Sequence, residues 1–428
     1  MKKQTSILLA TMLLGGLLAG CGNNGNHASN SNGSSTDTAN SANQQESTGE
    51  EISGTITYLS NRTDLIGNTY DEYAKRFNEK YPNAHVEFEA IKDFDQNAKV
   101  RLSSRDLPDV MNIPTISNAE LPNYYAPLDD LGLNDRIRFK DYKSFEGKVY
   151  GIASGVETVG IVYNKKAFAD AGITEIPTTL DAFYAAADKL KAKGVVPFAS
   201  NFKEQWPLYP FSKEVPIAIA GDGNFYNDRV KSDTPYTLEG PFGESMSIIR
   251  TMYEKGYLEA DVNSTNWEQS KKDFATGKFA MMYLGQWIIP QLISAGTTSD
   301  NVGFFPFPYN NESSHNTVLS PSSGVYGVNK DSKNIAVAKA FVKWMLEESG
   351  AGDDMLPIFK DAQSALPQLQ EYESFKPNYI ELTPDTIEST ERTNKAQITK
   401  EAIVQEFVLA KNPQDVFDDY NKKWTEAK

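Results

Sequence analysis

The chain has 428 residues, 39% hydrophobic and 23% charged, long enough for two lobes that each bury a core. Its formal charge of -15 repels phosphate backbones, so nucleic acid is not an expected partner and neutral ligands remain open. A lone cysteine excludes a disulfide framework.

The first predicted element is an export signal. Lys2 and Lys3 precede an apolar stretch, Ile7 to Gly20, that is shorter than the roughly 20 residues a permanent membrane helix needs. It ends "LLAGC": Ala19 and Gly20 are small enough for a peptidase cleft, and Cys21 then becomes an N-terminal residue whose thiol can take a lipid. The arrangement resembles a bacterial lipoprotein signal, with residues 1–20 removed and Cys21 lipidated. Residues 21–51 form a Gly/Asn/Ser-rich run without aromatic or large aliphatic side chains, which cannot offset ordering entropy. This predicts a disordered tether with a reach on the order of 30 Å.

From Ile52 the pattern becomes globular. "GTITYLSN" reads as a strand, and "TYDEYAKRFNEKYPN" as a helix with Tyr70, Tyr73, Phe77 and Tyr81 on one face. "AHVEFEAI" alternates as a second strand, and "LPDVMNIP" is a third. Such strand–helix–strand repetition predicts an α/β lobe with a largely parallel sheet. A second unit begins near Asn164. Its helix "PTTLDAFYAAADKLKAKG" opens on a capping box of Thr178 with Asp181 and stops at Gly194, before the strand "VVPFAS". "GKFAMMYLGQW" is a core strand, Phe279 to Leu284, ending in a glycine that keeps the backbone slim where a ligand must come close. "GVYGVNKDSKNIAVAKAFVKWMLEESG" is a strand, a turn and a helix with Phe341, Val342, Met345 and Leu346 inward. No internal repeat is visible.

The sequence has no GxSxG, Walker loop, HExxH or convincing GxGxxG. Its three histidines lack ligand spacing, so neither a transition-metal site nor a cofactor is expected. Among 57 acidic residues no carboxylate pair stands out for glycoside hydrolysis.

Several segments, in order, resemble the family 1 extracellular solute-binding proteins, the receptors of ABC importers, of which maltose-binding protein is a member. They are the Tyr81-Pro82 helix end, "LPDV" at Leu107, "GKVYGIASGVETVGIVYNKKAF" at Gly147, "PTTLDAF" at Pro177, "GKFAMMYLGQW" at Gly277 and "GVYGVNKDSKNIAVAKAFVKWM" at Gly324. They span about Gly54 to Met345; beyond Ala351 the likeness fades. The resemblance implies a type II periplasmic-binding-protein-like fold. Lobe 1 would hold residues 52–155 and 322–360, and lobe 2 residues 156–321 and 361–428. Hinges would lie near 153–158, 318–324 and 357–366, with ligand in the interlobe cleft. It also implies a non-enzymatic receptor, monomeric and lipid-anchored on the extracellular face of the cell membrane. Its partners would be a carbohydrate, preferably a neutral oligosaccharide, and an ABC permease.

Candidate site residues each have a plain structural alternative. Trp287 matches the family's GxW tryptophan, which stacks on a sugar ring; otherwise it caps a core. Glu157 falls on the crossing segment where maltose-binding protein also carries a cleft glutamate. Asn61, Arg62 and Asp64 come after the first strand, at the edge that faces ligands in open α/β sheets, or form a solvated loop. Asn112, just past "LPDV", has similar geometry, whereas Asp109 is assigned to the turn. Trp206 sits in an aromatic-rich loop as platform or packing. Gln286 adjoins Trp287, and Ser322 and Ser323 lie at the return crossing. Trp267 and Trp344 are assigned to packing. Two other functions use the same residues: a secreted glycan-active hydrolase, and the same fold binding a non-sugar metabolite.

Overall fold

The computed structural model describes residues 52–428 apart from Ser313 and Ser323. The signal, the tether, Cys21 and Ser323 therefore lie outside the described residues. Among the described residues, no helix is long and apolar enough to cross a membrane.

Twelve strands are present among these residues: β1 Gly54–Ser60, β2 Ala84–Ala90, β3 Val110–Asn112, β4 Lys143–Phe145, β5 Lys148–Ala153, β6 Val156–Asn164, β7 Val196–Phe198, β8 Phe279–Gly285, β9 Val302–Phe305, β10 Asn316–Pro321, β11 Val325–Val328 and β12 Asn378–Glu381. One sheet has the order β2-β1-β3-β11-β5-β4; the other has β12-β10-β6-β8-β7, with β9 also on β6. The expected parallel pairing holds at β1–β2, β1–β3, β7–β8 and β10–β12. The remaining pairs are antiparallel, so each sheet is mixed rather than mostly parallel. The reason is connectivity: β5 runs straight on into β6, and β10 into β11. Strands that enter a sheet at the seam run against those that leave it there, and β4–β5 is a hairpin.

The helix Thr69–Lys80 forms where the tyrosine periodicity places it. Asn68 caps it by accepting from Thr69 N–H, acidic Asp71 and Glu72 occupy its first turn, and Tyr70, Tyr73 and Phe77 are buried. The helix Leu180–Ala192 is capped by Thr179, which accepts from Ala182 N–H, one residue later than the expected Thr178. Thr178 instead gives its carbonyl to His315 Nε2 at 2.7 Å, which fixes the approach to the helix. Trp344 is buried and stacks near Phe341, as packing requires.

The second sheet is covered on both faces. Along β8, Met281 and Tyr283 belong to one apolar cluster with Phe305 and Phe407, while Met282 and Leu284 belong to another that continues into the first sheet's core. A strand covered twice reads as an unbroken apolar run, which is why "FAMMYLG" does not alternate.

Candidate functional site

Where the chain passes between sheets, three short segments lie side by side. Ser154 and Gly155 join β5 to β6, and Ser322 and Gly324 lie between β10 and β11. Ser154 Oγ and Ser322 Oγ are 2.8 Å apart, and Ser322 N–H donates to the Gly155 carbonyl at 3.0 Å. Leu356 exchanges two backbone hydrogen bonds with Val156, at 2.9 and 3.0 Å. Two cavities open beside this seam, about 200 and about 280 Å³, sharing Glu157 and Trp287. Together they fall within the size of small-molecule sites, about 300–1,000 Å³.

One wall of the first cavity comes from the carboxyl ends of β1 and β3, because these parallel strands finish side by side. There Tyr58 Oη donates to Asn112 Oδ1 at 2.9 Å, and Asn112 Nδ2 donates to Asn61 Oδ1 at 3.1 Å. Asn112 is thus a buried relay that holds Asn61 at the cavity. Arg62 also lines it, but its guanidinium is engaged by Asp64 through two hydrogen bonds, at 2.9 and 2.8 Å. Asp64 is not part of the lining; its carboxyl is held below the usual range by Arg62 and serves that cation. Asp109 anchors its turn as expected, accepting from Thr57 N–H and Ser332 Oγ.

The opposite wall is built from the end of β8 and the turn after it. Gln286 is fully buried; its Oε1 accepts from Thr158 N–H at 3.0 Å, and its Nε2 has no partner among the described residues. Trp287 turns its indole back over Gly285, where an added Cβ would lie 2.3 Å from the indole Nε1. The glycine therefore makes room first for the indole itself. Trp287 is one of three clustered indoles: Trp206 lies 4.8 Å from Trp267 and 5.7 Å from Trp287, and Trp267 lies 6.5 Å from Trp287. Trp267, assigned to packing from sequence, buttresses both of the others. Trp206 is 39% exposed at the second cavity, a large exposure for an indole held by two others.

Glu157, second residue of β6, faces both cavities and pairs in register with Ser320. Burial pushes its carboxyl above the usual range; Lys213 opposes that, while Asp354 and Glu214 add to it. Sequence reasoning missed Tyr209, Lys213 and Glu214, which line the second cavity with Trp206. The spacing 206, 209, 213 inside "WPLYPFSKE" is a helical face and was the available signal. Among the described residues no group of three or more His, Cys, Asp or Glu is placed to hold a metal ion.

Two α/β sheets that share a seam, with a polar wall on one side and an indole wall on the other, define a two-lobed ligand-binding protein of the type II periplasmic class. The chain belongs to the bacterial extracellular solute-binding protein family, whose model matches residues 62–352. It is similar to the multiple sugar-binding protein of Streptococcus mutans, 24% identical over 301 residues that span 68% of this chain and 70% of that one. The melibiose/raffinose/stachyose-binding protein of Bacillus subtilis is 23% identical, over 72% of this chain and 74% of that one. Among solved structures, a manno-oligosaccharide-specific solute-binding protein of Bifidobacterium animalis subsp. lactis, in complex with mannotriose, superposes with a TM-score of 0.70. It is 28% identical and is matched over 89% of this chain and 96% of its own.

Proposed function

We propose that this protein is the receptor of an ABC importer and captures a neutral oligosaccharide between its two sheets, performing no chemistry on it. The observation that carries the reading is the pairing of chemistries across one cleft. Asn61 and Arg62 on one wall, and Glu157 and Gln286 on the other, offer donors and acceptors to hydroxyls. The indole of Trp287 offers a flat apolar surface to the C–H face of a ring. The proteins it resembles bind saccharides by name, which supports the same class here.

A ligand that touches both walls stabilises the closed arrangement over the open one, and the permease reads closure. The three joining segments, at 154–155, between β10 and β11, and at 356, are the hinges in this scheme. Lipid on Cys21 would hold the receptor at the outer face of the membrane.

Calorimetric titration against a panel of mono- and oligosaccharides, with product analysis of each mixture, tests the reading. Saturable binding without new products is the expected result. Cleavage of any glycosidic bond would sink it in favour of a hydrolase. Replacing Cys21 by Ser should move the protein from the membrane fraction to the medium.

A further inference from the structure

We infer that Glu214 and Lys213 form a second recognition point, for the sugar unit next to the one that rests on Trp287. This deepens the carbohydrate reading and rests on it.

Glu214 closes a π-helical run, Pro210–Glu214, a rare backbone form that recurs at functional sites. Lys213 and Glu214, the last two residues of this run, both line the second cavity. The Glu214 side chain is only 6% exposed. Its Oε1 stands 3.7 Å from Lys213 Nζ, and its Oε2 has no hydrogen-bond partner among the described residues. A buried carboxylate with one oxygen left unpartnered is costly, and an apolar residue of similar volume would pack there at less expense. The chain carries the cost in the wall of a cavity that also contains Trp206, Tyr209 and Ser320.

The chemistry matches a pair of neighbouring ring hydroxyls. One hydroxyl donates to the carboxylate, and the next accepts from the ammonium. Trp206 supplies an exposed indole for the same unit. Because Glu157 and Trp287 belong to both cavities, a ligand lying across them occupies two points at once. A single ring on Trp287 leaves Glu214 untouched.

Two probe series of one, two and three units separate the possibilities: mannose, mannobiose and mannotriose; galactose, melibiose and raffinose. Each is titrated calorimetrically into the wild type, Glu214→Gln, Glu214→Leu and Trp287→Ala, with a thermal melt of every variant. Loss of a hydrogen bond to a charged group corresponds to a weakening of about tenfold to a hundredfold. That weakening is expected for Glu214→Leu with two- and three-unit ligands, while one-unit affinity stays within about twofold. Glu214→Gln should fall between, and Trp287→Ala should weaken every length. Equal weakening at all lengths, or none at any length, overturns the inference. If the wild type binds no saccharide, the carbohydrate reading falls and takes this one with it. That result is distinct from a wild type that binds and a Glu214→Leu variant that binds equally well.

Discussion

Thr158 and Gln286 hold one another twice: Thr158 N–H donates to the Gln286 side-chain oxygen at 3.0 Å, and Gln286 N–H donates to the Thr158 carbonyl at 3.3 Å. The second bond extends the β6–β8 ladder past the end of β8 and sets where Trp287 begins. Replacing Gln286 by Leu leaves the buried Thr158 N–H unpaired, at a cost of about 1–3 kcal/mol. The variant should unfold at lower denaturant concentration than the wild type, with an unchanged denaturant slope, and bind sugar more weakly. Chemical denaturation with and without ligand measures both effects. A variant as stable as the wild type would mean that the side-chain bond contributes nothing.

Gly285 and Trp287 form a second coupled pair. A methyl group on Gly285 would lie 2.3 Å from the indole Nε1 and 2.5 Å from Cδ1, so the ring must move. Gly285→Ala should therefore remain folded, shift the tryptophan emission and weaken ligand binding by about tenfold or more, about 1.4 kcal/mol. Circular dichroism, fluorescence and calorimetry on one sample suffice. Unaltered affinity beside a displaced indole would remove Trp287 from the binding surface.

The three-indole cluster makes a graded prediction. Trp206 stands edge-on to Trp267 and tilted to Trp287, and aromatic pairs contribute about 0.5–1.5 kcal/mol beyond their area. Trp206→Ala should weaken oligosaccharide binding by about threefold to tenfold, through the lost indole surface and looser support of Trp287, and Trp206→Phe should restore most of it. Titrations of both variants with the same saccharide give the comparison. If the phenylalanine variant behaves like the alanine one, support is not the role of Trp206.

Legibility in the sequence depends on the range of the interactions. Ile56, Tyr58 and the tyrosine face of residues 70–77 report burial through local periodicity, so β1 and its helix were legible. Trp287 stood out because a large ring after a glycine breaks an apolar strand. The mixed sheets were not legible, because strand direction depends on where β5 and β10 lead rather than on their own residues. Nor was the Arg62–Asp64 pair, which withdraws Asp64 from the cleft, since a loop sequence does not say which charges meet. Glu214 escaped for the opposite reason. A lysine and a glutamate side by side look like a solvated turn, yet Glu214 is buried at the end of the π-helical run.

Glu157 gives the clearest dependence on pH. Burial raises its carboxyl, with Lys213 opposing and Asp354 and Glu214 adding. A carboxyl raised on folding contributes stability that is fully present below the ordinary glutamate value, about 4.3, and lost as pH rises through the raised one. As pH rises above the ordinary glutamate value, Glu157 thus burdens the ligand-free protein. Glu157→Gln, which cannot ionise, should melt higher than the wild type at pH 7. The gap should close as pH falls toward 4, while saccharide affinity drops at pH 7, as expected where a site gives up stability for function. Thermal melts of both proteins across that pH interval, with calorimetry at pH 7, test the linkage. A gap that persists at pH 4 would mean that ionisation of Glu157 is not its source.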